Sequence, residues 1–149
     1  MINARSLALL CCALGLFAHA ARAEMRVENA WVRATPGTMT VTAGYGRLVN
    51  TGPGADTLEG IASPVAGMVD LHQTVRQDGM MRMDAVEHLA VPAGGAVALD
   101  PGGFHLMIMG LKRPLKVGET VDLTFTFAKA GAVTVTAKVA PLAATKAPD

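Results

Sequence analysis

The chain has 149 residues, with 13 basic against 12 acidic side chains, and the 17% of positions that are charged are nowhere run together. That balance offers no basic stripe for nucleic acid or a membrane surface, and no acidic interaction tail. At this length a single domain with a substantial core is expected.

Residues 1–23 carry Arg5, an apolar run from Leu7 to Phe17, and small residues ending in Ala21-Arg22-Ala23. This is the order of a secretory signal peptide with its A-x-A cleavage site, so the mature chain is expected to begin at Glu24. The apolar run is too short to span a bilayer. Leucines and a cysteine, instead of a small-residue lipobox, precede Cys11 and Cys12, so no membrane anchor is expected in the mature, exported form. Both cysteines lie in the segment to be removed, which excludes a disulfide and a thiolate metal site from the mature protein. Loss of Arg5 and Arg22 leaves 11 basic against 12 acidic side chains.

From Met25 onward the chain reads as short apolar or alternating runs. The expected strands are Met25–Ala34, Thr40–Asn50, Asp56–Ser63, Met68–Val75, Met81–Leu89, Ala96–Leu99, His105–Met109, Val121–Ala128 and Ala132–Val139. Turn-forming residues separate them, at Asn50-Thr51-Gly52-Pro53-Gly54, Gln77-Asp78-Gly79, Pro92-Ala93-Gly94-Gly95, Asp100-Pro101-Gly102-Gly103 and Lys129-Ala130-Gly131. Short strands at regular spacing predict an all-β antiparallel sandwich or barrel. Glycines within Thr40–Val49 point to a bulge or a close backbone approach. Leu123, Phe125 and Phe127 alternate with polar residues and are expected in the core. A helical turn is the most that Gly110–Leu115 can form around Pro114. The domain is expected to span 24–142, with 143–149 as a loose tail.

The chemistry concentrates between His72 and Met109. Three of the four histidines and five of the nine methionines lie in that window. Thioether and imidazole together select a soft or borderline transition metal, Cu(I) before zinc, and exclude oxygen-seeking ions. His105 and Met107, two residues apart, share one strand face. A two- or four-residue loop at Asp78-Gly79 puts His72, Met81 and Met83 on one face, whereas a three-residue loop inverts this. Met80, Met81 and Met109 stand as supporting or substitute thioethers, Met68 is assigned to the core, and His88, after Glu87, to the surface. The competing reading is a structural or interaction domain of the periplasm whose methionines are ordinary core filling.

Enzymatic readings find less support. A blue-copper carrier needs a cysteine. Ser63 is the last serine after cleavage and has no nucleophile elbow around it. Asp70, Asp84 and Glu87 could act as an acid and base only if the fold brought them together. No catalytic residue is assigned, and the protein is not expected to be an enzyme.

The runs Ala30-Trp31-Val32-Arg33-Ala34-Thr35-Pro36, Ser63-Pro64-Val65-Ala66-Gly67, Leu71-His72 and Pro101-Gly102-Gly103-Phe104-His105-Leu106-Met107-Ile108-Met109-Gly110-Leu111-Lys112 resemble the periplasmic copper chaperones of the PCu(A)C family. The family's spacing, histidine, ten residues, methionine, twenty-one residues, histidine, one residue, methionine, is met by His72, Met83, His105 and Met107. The resemblance implies a cupredoxin-like Greek-key sandwich, a Cu(I) site made by those four side chains, and a periplasmic location. It also implies delivery of copper to the copper subunit of cytochrome c oxidase, alongside Sco-type proteins. Some relatives add a tail rich in histidine and methionine, whereas this chain ends Ala143-Ala144-Thr145-Lys146-Ala147-Pro148-Asp149, without such ligands.

Overall fold

The computed structural model describes residues 24–149, and the signal peptide expected over 1–23 lies outside the described residues. Ten strands follow in order: β1 (Met25–Arg33), β2 (Val41–Asn50), β3 (Asp56–Ala62), β4 (Met68–Gln77), β5 (Met80–Ala85), β6 (Leu89–Val91), β7 (Ala96–Leu99), β8 (Phe104–Met109), β9 (Thr120–Phe127) and β10 (Gly131–Ala140). Among the described residues there is no helix. Gly110 takes a positive φ of 65°, so the chain turns after β8 without forming the helical turn allowed for there.

The strands pair in the order β4-β8-β2-β1-β10-β9-β3, and a contact of Ile61 in β3 opposite Val69 in β4 closes that path into a barrel. Closure removes most free edges. The remaining strands extend this wall, β5 from β4, β6 from β3, and β7 alongside β8 on β2. All pairings are antiparallel except that of β1 with β10. The all-β expectation is met. The long run expected at Met81–Leu89 is divided, because Val86-Glu87-His88 leaves the ladder between β5 and β6.

The two-residue period of each strand sorts the side chains. Val69 and Leu71 of β4, Leu106 and Ile108 of β8, and Val121, Leu123, Phe125 and Phe127 of β9 point inward and are buried. Their alternates form the outer wall. A bulge in β1 between Glu28 and Trp31 lets Asn29 take a φ of 51° and shifts the alternation, so that Val32 is buried inside while Trp31 lies outside against Tyr45. Gly46 lies against this bulge, where an added Cβ would meet Glu28 O at 3.3 Å. Gly46 thus marks the close backbone approach expected within β2, while the bulge lies in the neighbouring β1.

Two expectations are corrected. Met68, assigned to the core, is 54% exposed, because it alternates with the buried Val69 and therefore faces out. The tail does not hang loose. Ala144 and Ala147 pack on the Trp31, Tyr45 and Ala140 cluster, Arg33 Nη2 donates to Ala144 O at 3.1 Å, and Lys138 Nζ donates to Asp149 O at 2.9 Å. Small side chains suit this docking, since they let the backbone come close to the indole and phenol rings.

A buried carboxylate joins β3 to the β9–β10 turn. Asp56, 1% exposed, accepts from the Thr57 and Lys129 N–H groups through Oδ1, both at 2.8 Å, and from Ala130 N–H through Oδ2 at 2.9 Å. Burial alone would raise its pKa, but the three N–H donors and the Lys129 charge outweigh this and hold it below the ordinary 3.8. The ionised form is therefore favoured in the fold, and its stabilisation is present above the unfolded-state pKa and lost as pH falls through the lower folded value. Replacing Asp56 by Ala strands three donors and should cost about 1–3 kcal/mol at neutral pH. In urea titrations the gap between parent and variant should narrow as pH is taken below 3.8.

Candidate metal centre

The β4–β5 hairpin turns at Asp78 and Gly79, whose φ values of 52° and 78° are the positive pair that a two-residue type I′ turn requires. Gln77 then lies opposite Met80, Arg76 opposite Met81, Thr74 opposite Met83, and His72 opposite Ala85. On its other side β4 places His72 opposite His105 and Asp70 opposite Met107. Partners across a ladder share a face, as do residues two apart. His72, Met83, His105 and Met107 therefore all stand on the outer face of one stretch of wall, together with Met81.

The two histidine rings have centroids 6.1 Å apart and planes inclined at 45°. His105 is 5% exposed, and its Nδ1 lies 3.1 Å from Gly103 O. A carbonyl can only accept, so Nδ1 carries the proton and the Nε2 lone pair is left for a cation. The same carbonyl accepts from Thr74 N–H at 3.1 Å and is set by the tight turn in which Gly103 N–H donates to Asp100 O. An added Cβ at Gly103 would lie 2.7 Å from Asp100 Oδ1, so a larger residue there requires the Asp100 side chain to move. His72 Nδ1 is enclosed and has no hydrogen-bond partner. A buried polar atom in that condition costs free energy unless a donor or cation meets it.

His105 and Met107 line a concavity of about 390 Å³, bounded by Met81 and Met83 on the hairpin side and by Ala43, Tyr45 and Arg33 on the other. His72 is not among its lining residues and lies beside His105 across the β4–β8 ladder. Met83 and Met81 are 60% and 63% exposed, so the thioethers of the hairpin are open to solvent while the imidazoles are sheltered. His88 is exposed, as expected, and borders a separate depression with Glu59, Asp70 and Glu87. Asp84 is paired with Arg82 at the surface, apart from Asp70 and Glu87. Among the described residues no three of His, Asp, Glu and Cys cluster to hold a metal without methionine.

Sequence reading did not single out the far wall. Arg33 stacks its guanidinium 5.3 Å from the Tyr45 ring centroid, and Tyr45 lies 4.4 Å from Trp31. Burial pushes the Tyr45 phenol up, partly countered by Arg33. The signal was present in Trp31-Val32-Arg33 and in the chain's one tyrosine, but only the pairing of β1, β2 and β8 brings those residues beside the donors.

The fold and this face define a β-barrel domain that displays sheltered imidazoles and open thioethers on its outer wall, side chains of the chemical types that suit a soft metal ion. The profile of the family described as "Putative lipoprotein LpqE-like" matches residues 25–139, and the chain belongs to this family; its similar solved structures include PCuAC domains. A "Putative lipoprotein Lxx21020" of Leifsonia xyli is 39% identical over 104 residues, 69% of this chain and 61% of that protein. The chain spans about three-fifths of the length of the curated relatives it matches. The solution structure of Cu(I)-DR1885 from Deinococcus radiodurans is 38% identical, with a TM-score of 0.66 over 86% of this chain and 85% of the other. The copper-bound PCuAC domain of PmoF2 is 26% identical, with a TM-score of 0.68 over 81% and 96%.

The hairpin turn controls which way the thioethers face. Inserting one residue between Asp78 and Gly79 makes a three-residue loop and should turn Met81 and Met83 to the opposite face. The check is the nuclear Overhauser contact between the Met83 methyl and Thr74. It should be lost in the insertion variant, while the pairing of His72 with His105 persists.

Proposed function

We propose that this protein carries Cu(I) as cargo outside the cytoplasm, holding it with His72, Met83, His105 and Met107 and releasing it to another copper protein. The observation that carries the reading is the strand register that gathers two imidazoles and two thioethers on one outer face. Copper in the DR1885 and PmoF2 relatives supports it. Thioether and imidazole favour Cu(I), and thioether disfavours zinc and excludes calcium and magnesium.

The unequal exposure of the donors suits transfer. His105 is held by Gly103 O and the β4–β8 ladder, so it stays in place with or without cargo. Met83 stands on a hairpin with one neighbouring strand and can leave first, opening a position for an incoming ligand. Cu(I) keeps its oxidation state throughout, since one Cu–S bond breaks as another bond to copper forms. Thioether needs no deprotonation, whereas each imidazole must be neutral to ligate, so acid weakens the site through His72 and His105. The acceptor we assign is the copper subunit of cytochrome c oxidase, with Sco-type proteins as partners in the same assembly. The role is carriage, not catalysis.

Titration with Cu(I) under reducing conditions against a chromophoric competitor should give one tight equivalent per chain. Met83→Ala or Met107→Ala should weaken it at least about tenfold, the range that even ligand-supporting residues reach. At the exposed Met83 the substitution should change unfolding free energy by no more than about 0.5 kcal/mol. Variants that hold copper as tightly as the parent would refute the ligand assignment. For export, the mass of the mature protein should match cleavage near Ala23. A lipid mass on Cys11 or Cys12 would favour the anchored form that the lipoprotein description suggests.

A further inference from the structure

Beyond the four proposed ligands, the same wall carries a second set of thioethers. Met68 in β4 lies directly opposite Met109 in β8, and Met109 lies opposite Val41 in β2. Met107 stands two residues before Met109 on the same face. All three side chains alternate with buried residues, Val69, Leu106 and Ile108, so burial of the core turns them outward. Met68 is 54% exposed and gains little from packing where it stands.

We propose that Met68 and Met109, with Met107 shared, form a second and weaker site for Cu(I), through which cargo enters or leaves the first. Directly opposed residues in an antiparallel pair have Cβ atoms about 4.5–5.5 Å apart, and diagonal ones lie about 7–8 Å apart. Each methionine adds a flexible stem before its sulfur, so the Met68 and Met109 sulfurs can bracket one ion, with Met107 reaching it diagonally. Neutral sulfur donors without imidazole or carboxylate select soft monovalent Cu(I) or Ag(I). Asp70, opposite Met107 and two residues from Met68, places a negative charge beside the ion without competing as a soft donor. Movement between the sites is ligand exchange. The bonds from Cu(I) to His72, His105 and Met83 break, bonds to Met109 and Met68 form, and Met107 is retained, with no change in oxidation state and no proton moved. The second site rests on the carrier reading only through this shared methionine.

The test uses the mature full-length protein with ¹³C-methyl methionine, titrated with Ag(I). The first equivalent should shift the Met83 and Met107 methyls, and the second those of Met68 and Met109. Met68→Leu combined with Met109→Leu nearly conserves volume. It should lower the stoichiometry from two to one, leave the first equivalent's affinity unchanged, and slow release of Cu(I) to a chelator. A second equivalent that shifts Met80 or Met81 instead, the absence of a second equivalent, or a double variant that keeps both would overturn the proposal. Failure of the carrier reading looks different: the first equivalent would leave Met83 and Met107 unshifted, while binding at Met68 and Met109 could still be read in a His105→Ala variant.

Discussion

The ladder between β4 and β8 is what the site depends on. Leu71 faces Leu106 and Val69 faces Ile108 inside the barrel, and the same register sets His72 against His105 and Asp70 against Met107 outside. A slip of β4 by one residue would expose two buried aliphatic side chains, Val69 and Leu71, each worth roughly 1.5–3 kcal/mol of burial, and drive His72 into the core. The donors are thus aligned by hydrophobic packing on the far side of the strands that carry them. They need no metal to find one another.

Around that ladder the wall differs in how firmly it is held. On one side Tyr45, Trp31, Arg33 and the docked tail make a braced surface, with the Arg33 guanidinium between the phenol ring and Ala144 O. On the other side β5 has a single neighbouring strand and carries its methionines into solvent. Segments with few buried contacts open most easily. The proposed carrier role fits this difference, with sheltered imidazoles on the firm ladder and the exposed Met83 on the open hairpin.

The proposed donor set agrees with the proposed export, since the candidate site contains no cysteine that could form a disulfide. In the proposed site sulfur comes from methionine, a donor type that binds Cu(I) without losing a proton.

Much of this was legible in local sequence. Alternation marked the strands, Leu123, Phe125 and Phe127 declared their core face, and Asp78-Gly79 announced a tight hairpin whose length decides where Met83 points. The spacing of His72, Met83, His105 and Met107 matched a known family, which chose these four from a larger set of candidate donors. What local sequence did not decide depends on pairing between distant strands. The parallel match of β1 with β10, the outward turn of Met68, the packing of 143–149 on Trp31 and Tyr45, and the presence of Arg33 beside His105 are of this kind. Period and turn chemistry act over a few residues and so can be read along the chain. Which strands become neighbours is settled by closing one barrel around one core, and that closure places both the donors and the wall beside them.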